Sequence, residues 1–370
     1  MASKYIAWVQ RAKGWGILLI VLGHVAGGGI HLSTGSNAEV LTGVYKYLYS
    51  FHVELFFFLA GVTYSIAGKP FGAFVGRKAR ALLVPYLFWG LVSYGIYLAM
   101  SGLLWATWAA SSTTGYYDSI FRQMDWWTPL VGLLHGGGWP NGNGLRQNSV
   151  LWFLMCLFTC EVAYYGYERY SRGRFSRVWS VALFLLAGCC VKSYEMPDLP
   201  FGVLRALQLG VFLALGRLCA AHIPQDSAPP NRTGGCLLSS LLVLVGLVVA
   251  LGNPYTDFTV TLRAHTIYVM TACVSIAGWV GISLFGGGKW IELAGKHSLC
   301  IMVAHKFIVV AMQTRVPFCR DAYRQTLLES SAVTIGITLL AMAVCIGLGE
   351  ALLRTAPWTV GKGWQARRSA

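Results

Sequence analysis

Charged residues are scarce in this chain of 370 residues, where Asp, Glu, Lys and Arg together make up 12% and hydrophobic residues make up 56%. Soluble domains carry about 25% charged residues, so the composition excludes a water-soluble globular protein of this length. No internal repeat and no low-complexity segment is evident. The chain instead has apolar runs of membrane-spanning length from end to end, which predicts an integral membrane protein.

Acidic residues are the scarcest charged class, with 14 Asp and Glu against 29 Lys and Arg and a net charge of +15. In a soluble chain this balance would suggest a nucleic-acid partner. In a membrane protein it is explained by basic residues in the cytoplasmic loops, so no nucleic-acid partner is predicted.

Paired cysteine motifs are also lacking. Most of the ten cysteines lie inside apolar runs and none forms a C-x-x-C pair, so we interpret them as buried small hydrophobic residues and predict no metal site. No small-residue cleavage site follows the basic residues Lys4, Arg11 and Lys13, which favours a retained first helix over a signal peptide.

Ten apolar segments are present, which predicts about ten transmembrane helices with both termini on one side. They cover residues 14–30, 45–67, 81–101, 149–167, 178–194, 200–221, 236–252, 265–285, 297–314 and 330–353. About two thirds of the Lys and Arg residues then fall on the side of the termini. This bias predicts that the N-terminus and the C-terminus are both cytoplasmic.

One long loop, residues 102–148, is expected on the opposite side and is rich in Trp, Gly and Ser. It could cover a site or contact an extracytoplasmic acceptor. Its residues Trp126, Trp127 and Trp139 suit an interfacial belt as well as a platform that stacks on sugars.

Several stretches place ionisable residues at or near membrane depth. In K-G-W-G-I-L-L-I-V-L-G-H (13–24), Lys13 and His24 are eleven residues apart, about 16 Å along one face of a helix. F-H-V-E-L-F-F-F-L-A-G (51–61) contains Glu54, and R-K-A-R-A-L-L-V-P-Y-L-F-W (77–89) opens a later span. Weaker motifs are L-W-F-L (151–154) and G-K-H-S-L-C-I-M-V-A-H (295–305). Buried ionisable groups are costly unless they are paired or face water, so they are functional candidates.

The order and spacing of these stretches resemble the acyltransferase 3 family of membrane O-acyltransferases, with a variant close to its fucose 4-O-acetylase-like branch. The resemblance implies an all-α, polytopic membrane protein with one transmembrane acyltransferase domain over residues 1–370. It implies transfer of an acyl group, acetyl above all, from cytoplasmic acyl-CoA to a hydroxyl of a surface polysaccharide, sugar or glycolipid. The implied location is the bacterial cytoplasmic (inner) membrane, and acyl-CoA is a co-substrate with no bound cofactor.

The resemblance and the chemistry together assign roles to individual residues. His24 is the expected general base and Glu54 its orienting partner, because an imidazole held by a carboxylate can take a proton from an attacking hydroxyl. Lys13, Arg77 and Arg80 are expected to bind the donor phosphates, whereas we interpret Lys78 as a membrane anchor. Further candidates for the cavity or the acceptor site are His52, Trp152, Ser298 and His305.

Alternatives remain at each level. His24 and Glu54 could be a structural pair, or His24 could carry an acyl-histidine intermediate. Ten helices with intramembrane charges also suit an exporter or transporter of glycans or small solutes, or more weakly a lipid-binding structural protein. Lys306 lies inside an apolar run, with Glu54 or Glu161 as candidate partners.

Overall fold

The fold was analysed in a computed structural model of the chain. The structure describes residues 6–30, 36–66, 68–103, 126–136, 145, 147–171, 175–193, 199–223, 232–253, 262–313 and 331–362. The described residues form helices and no β-strand. The all-α class predicted from the sequence is therefore confirmed.

Fourteen α-helices can be assigned in the described residues. They are α1 (Ala7–Ile30), α2 (Ser36–Leu48), α3 (His52–Val62), α4 (Phe71–Lys78), α5 (Val84–Leu103), α6 (Thr128–His135), α7 (Trp152–Tyr170), α8 (Ser176–Ser193), α9 (Val203–Cys219), α10 (Arg232–Gly252), α11 (Leu262–Phe285), α12 (Lys289–Lys296), α13 (Ser298–Gln313) and α14 (Ser331–Thr355). Short 3₁₀ helices cover Ser149–Leu151, Pro200–Gly202 and Pro357–Val360.

Six stretches of helix in the described residues are long and apolar enough to cross a membrane. They are Phe71–Ala99, Ser149–Tyr170, Pro200–Cys219, Arg232–Gly252, His265–Phe285 and Ser331–Thr355. The apolar parts of α8 and α13 are shorter, Ser176–Val191 and Ser298–Val309. The helices therefore indicate an integral membrane protein, whereas the count of ten spans and the cytoplasmic location of both termini stay predictions.

The segment predicted as one span, residues 45–67, is not one continuous helix. The structure has two helices there, α2 and α3, separated by a turn at residues 49–51. Hydropathy does not distinguish this turn from a helix, because Tyr49 and Phe51 are themselves aromatic. Because of this turn, α3 begins at His52, and His52 and Glu54 lie in the first turn of α3.

Helix α1 lies at the centre of the bundle, where it contacts α2, α3, α11, α12, α13 and α14. Its residues Ala12, Ile17, Val21 and Ala26 are fully buried or nearly so. A helix surrounded in this way holds its side chains in fixed positions, so α1 is a suitable support for Lys13 and His24.

Two glycine contacts bring α3 and α9 into backbone contact. A Cβ added to Gly61 would lie 2.0 Å from the carbonyl oxygen of Leu213, and one added to Gly216 would lie 2.0 Å from that of Phe58. Only glycine fits at both positions. Small residues at such crossings are the usual means of close helix packing in membranes.

A π-helical turn, Ala79–Leu83, joins α4 to α5 within the predicted basic motif. Pro85 follows and has no N–H to donate to the carbonyl of Ala81, which accounts for the irregular turn. The backbone at Gly361 packs against this carbonyl, because a Cβ there would lie 2.5 Å from the Ala81 oxygen, and Gly361 has a φ of +72°. This contact fixes the position of Lys362.

Candidate active site

Two histidines from distant parts of the chain are in direct contact. Nδ1 of His24 on α1 lies 2.7 Å from Nε2 of His305 on α13, and the rings are nearly parallel. Nδ1 of His305 lies 2.8 Å from the carbonyl oxygen of Ile301, one turn earlier on α13. His305 is completely buried.

This hydrogen-bond network assigns the proton positions of the two neutral rings. The Ile301 carbonyl can only accept, so Nδ1 of His305 carries the proton and its Nε2 accepts a hydrogen bond from the His24 Nδ1–H. Nε2 of His24 is then the basic nitrogen of the pair. The arrangement matches the second half of a catalytic triad, in which a buried group fixes the tautomer of the base.

Helix α3 adds a buried carboxylate close to the histidines. Oε1 of Glu54 accepts a hydrogen bond from the hydroxyl of Tyr268 on α11. Glu54 is 3% exposed, and its Oε2 has no hydrogen-bond partner among the described residues. Such an oxygen is available to accept a hydrogen bond from a bound hydroxyl group.

His24 and Glu54 line one cavity, which we call the histidine cavity. Its volume is about 880 Å³ including the opening. The lining consists of Ile20, His24, Tyr49, His52, Val53, Glu54, Ser149, Val150, Trp152, Phe153, Arg205, Gln208, Leu209, His265, Tyr268 and Met302. An apolar wall with a few polar groups is typical of a small-molecule site.

Aromatic and cationic side chains complete this cavity. The guanidinium of Arg205 lies over the Trp152 ring, 5.0 Å from its centre. The Tyr49 ring contacts both His24 and His52 edge-on. Nδ1 of His52 donates a hydrogen bond to the carbonyl of Leu48, which leaves Nε2 as the basic nitrogen of a neutral His52.

A second cavity contains four lysines and is called the lysine cavity here. Its volume is about 1150 Å³ including the opening. The polar lining residues are Gln10, Lys13, Thr63, Lys78, Glu161, Lys296, His297, Ser298 and Lys362. Lysines that line a cavity together attract an anionic ligand.

The charges of the lysine cavity are only partly balanced. Lys78 forms an ion pair with Glu161, and Lys296 lies 3.0 Å from Glu350. Among the described residues, neither Lys13 nor Lys362 forms an ion pair. Two positive charges without a carboxylate partner make this cavity a candidate phosphate site.

His297 shares the Glu350 carboxylate with Lys296, with its Nε2 2.7 Å from Oε1. Burial lowers the pKa of His297, and the hydrogen bond to Glu350 opposes this shift. Glu350 therefore connects Lys296 and His297, two residues that line the lysine cavity.

The two cavities follow one another along the same helices. On α1, Lys13 lines the lysine cavity and Ile20 and His24 line the histidine cavity. On α13, Ser298 lines the lysine cavity, and His305, two turns later, contacts His24. The cavities therefore lie end to end, and Lys13 and His24 are about 16 Å apart along the helix axis.

The structure divides the predicted site residues between the two cavities. Lys13 and Ser298 line the lysine cavity, and His24, His52, Glu54 and Trp152 line the histidine cavity, with His305 directly behind His24. The contact that fixes the His24 tautomer comes from His305, whereas Glu54 binds Tyr268, so orientation of His24 by Glu54 stays a prediction. Trp139 lies outside the described residues.

The predicted donor-binding arginines lie outside the lining of the lysine cavity. Nη2 of Arg77 donates to the carbonyl of Ser65 at 3.1 Å, and Arg80 is exposed. Lys78, for which the sequence favours a membrane anchor, lines the cavity. Donor binding by Arg77 and Arg80 stays a prediction.

Several lining residues were missed by the sequence analysis. Arg205 and His265 are ionisable residues within apolar segments, and the rule that singled out His24 and Glu54 applies to them equally. Tyr268 and Lys362 had no such signal, because a tyrosine in a span and a lysine near a terminus are common.

Comparison with known proteins identifies the family. The family model of the acyltransferase domain of the acyltransferase 3 type matches residues 6–350, nearly the whole chain. The chain belongs to this acyltransferase family, as the sequence motifs predicted.

A shorter match is found with the nodulation protein NolL of Mesorhizobium japonicum, at 39% identity over 80 residues. The match covers 21% of this chain and 21% of NolL. No solved structure matches the chain significantly.

Proposed function

We propose that this protein is a membrane O-acyltransferase that moves an acyl group, acetyl above all, from acyl-CoA to a hydroxyl of a sugar or glycolipid. Family membership supports the reaction class. The observation that carries the proposal is the His24–His305 pair, with its basic nitrogen assigned to His24, in a cavity that adjoins a lysine-lined one.

In the proposed reaction, the acceptor hydroxyl attacks the carbonyl carbon of the thioester while Nε2 of His24 takes its proton. The tetrahedral intermediate then collapses, the C–S bond breaks, and the CoA sulfur receives the proton from His24. The products are the ester and free CoA. His305 accepts the Nδ1–H hydrogen bond throughout and stabilises the transient imidazolium, so it acts as a positioning residue.

The donor is proposed to bind with its phosphates in the lysine cavity and its thioester towards His24. The cationic Lys13 and Lys362 suit the pyrophosphate and the 3′-phosphate of CoA. All four lysines of the cavity belong to segments that the charge bias assigns to the cytoplasm, where acyl-CoA is made. This agreement supports a cytoplasmic donor and a place in the bacterial inner membrane.

The acceptor is proposed to bind in the histidine cavity. Trp152 can stack on an apolar face of a sugar ring, and Arg205, Gln208 and Glu54 provide donors and acceptors for its hydroxyls. The partnerless Oε2 of Glu54 suits a second hydroxyl of the same acceptor.

The test is acceptor-dependent release of CoA by the purified protein in nanodiscs, with acetyl-CoA and a panel of glycans and glycolipids. His24→Ala should lower turnover by ~10²-fold or more, the usual effect of losing a general base. His222→Ala is the matched control, because His222 is exposed at the end of α9. Solute flux in proteoliposomes without any CoA release would overturn the proposal in favour of a transporter.

A further inference from the structure

Two residues separate the histidine cavity from the lysine cavity. Among the described residues, Phe153 on α7 and Met302 on α13 are the ones that line both cavities. Both side chains are buried, at 9% and 6% exposure. They come from opposite directions of the chain, since α7 runs from the histidine cavity to the lysine cavity and α13 runs the other way.

Phe153 is held rigidly in this position. Its ring packs edge-to-face against Phe56, at 5.9 Å between centres, and against Phe57, at 5.7 Å. Phe56 is itself confined, because Gly16 of α1 leaves room for its ring and a Cβ there would lie 2.8 Å from it. Fixed aromatic contacts of this kind leave the Phe153 ring little freedom to rotate.

Met302 is the more flexible of the two residues that form the partition between the cavities. Methionine has three rotatable side-chain bonds and changes shape more readily than a branched or aromatic residue. Its position three residues before His305 places it one helical turn from the histidine pair, on the same side of α13.

We propose that Phe153 and Met302 form the passage through which the acyl group of the donor reaches His24, and that they limit the width of that acyl group. The inference rests on the proposed function. The acyl group is the leading end of the donor, because the CoA phosphates stay among the lysines. It must therefore pass these two side chains before its carbonyl carbon can meet the acceptor hydroxyl.

The partition accordingly selects unbranched, uncharged acyl groups. A linear acyl group is as narrow as the pantetheine arm that follows it between the aromatic ring and the thioether, whereas a branched acyl group is wider and collides with the fixed ring. An apolar wall that excludes one methylene group discriminates by about 10- to 200-fold in kcat/KM. A charged acyl group is excluded as well, since the passage offers it no polar partner.

The helical stretch Ser149–Tyr170 provides controls on both sides of Phe153. Val150, three residues earlier, lines the histidine cavity alone, and Leu157, four residues later, lines the lysine cavity alone. All three are buried apolar residues. Truncating each of them to alanine shortens a buried apolar side chain at three successive levels of this stretch.

The experiment measures kcat/KM for acetyl-, propionyl-, butyryl- and isobutyryl-CoA with one acceptor. Phe153→Ala and Met302→Ala should raise the isobutyryl-to-butyryl ratio by about 10-fold or more. Val150→Ala and Leu157→Ala should leave this ratio near that of the wild type. Phe153→Leu is the milder variant if Phe153→Ala does not fold.

An unchanged isobutyryl-to-butyryl ratio in Met302→Ala and Phe153→Leu would overturn the inference. An equal rise in Val150→Ala would also overturn it, by assigning the width limit to the histidine cavity itself. Neither result affects the proposed function, which fails only if the wild-type protein transfers no acyl group from any of the donors.

Discussion

Replacing His305 tests whether the histidine pair is catalytic. His305→Ala removes the acceptor for the His24 Nδ1–H at 2.7 Å, so the tautomer of the base is no longer fixed and the imidazolium loses a partner. A hydrogen bond to a charged group contributes about 1.5–3 kcal/mol. Because each 1.36 kcal/mol is a factor of ten in rate, kcat should fall by about 10- to 150-fold.

Changes in KM separate this role from a structural one. His305 lies outside the lining of both cavities, so KM for acyl-CoA and for the acceptor should stay close to that of the wild type. His305→Gln is the matched variant, because its amide oxygen can reach the position of Nε2 and accept the same hydrogen bond. It should recover most of the lost kcat.

The assay is initial-rate CoA release with both substrates varied, together with thermal unfolding of each variant in detergent. Unfolding matters because His305 is fully buried and its truncation leaves a void. A wild-type kcat in His305→Ala would refute the role of the pair. Equal losses in the Ala and Gln variants would assign His305 to packing alone.

Three further predictions follow from the site and its supports. Lys13→Gln and Lys362→Gln should raise KM for acyl-CoA more than they lower kcat, and the KM of the wild-type protein should rise with ionic strength. The Arg77→Gln, Arg80→Gln double variant tests the predicted role of the two arginines, and a KM equal to that of the wild type would make them membrane anchors. Glu54→Gln should reduce turnover less than His24→Ala, since the amide still accepts from Tyr268; full activity would make Glu54 structural. Gly61→Ala should lower thermal stability and folded yield, because its Cβ would lie 2.0 Å from the Leu213 oxygen. Gly166→Ala is the control and should keep the stability of the wild type, because the space around Gly166 is open. Equal stability of the two variants would contradict the close contact at Gly61.

The family and the fold class could be predicted from the sequence because they depend on local patterns. Apolar runs report helices, and the spacing of Lys13 and His24 is set by one continuous helix. His305 could be named as a candidate but not paired with His24, because 281 residues separate them and only packing brings them together.

The basic motif shows the limit of spacing as a guide to the lysine cavity. Arg77 and Arg80 share a face of a regular α-helix, and Lys78 points about 100° away. The π-helical turn that begins at Ala79 changes the helical phase of Arg80 relative to Arg77 and Lys78, and the backbone of Gly361 packs against this turn. Regular helical periodicity therefore could not place Arg80 relative to the other two basic residues.

The division of the site into two cavities has a consequence for kinetic order. In the proposed binding mode, donor and acceptor occupy separate volumes on either side of Phe153 and Met302, so neither has to leave before the other binds. Both substrates can then be present when the hydroxyl attacks. Double-reciprocal plots at several fixed acceptor concentrations should intersect, whereas an acyl-histidine on His24 formed before the acceptor binds would give parallel lines.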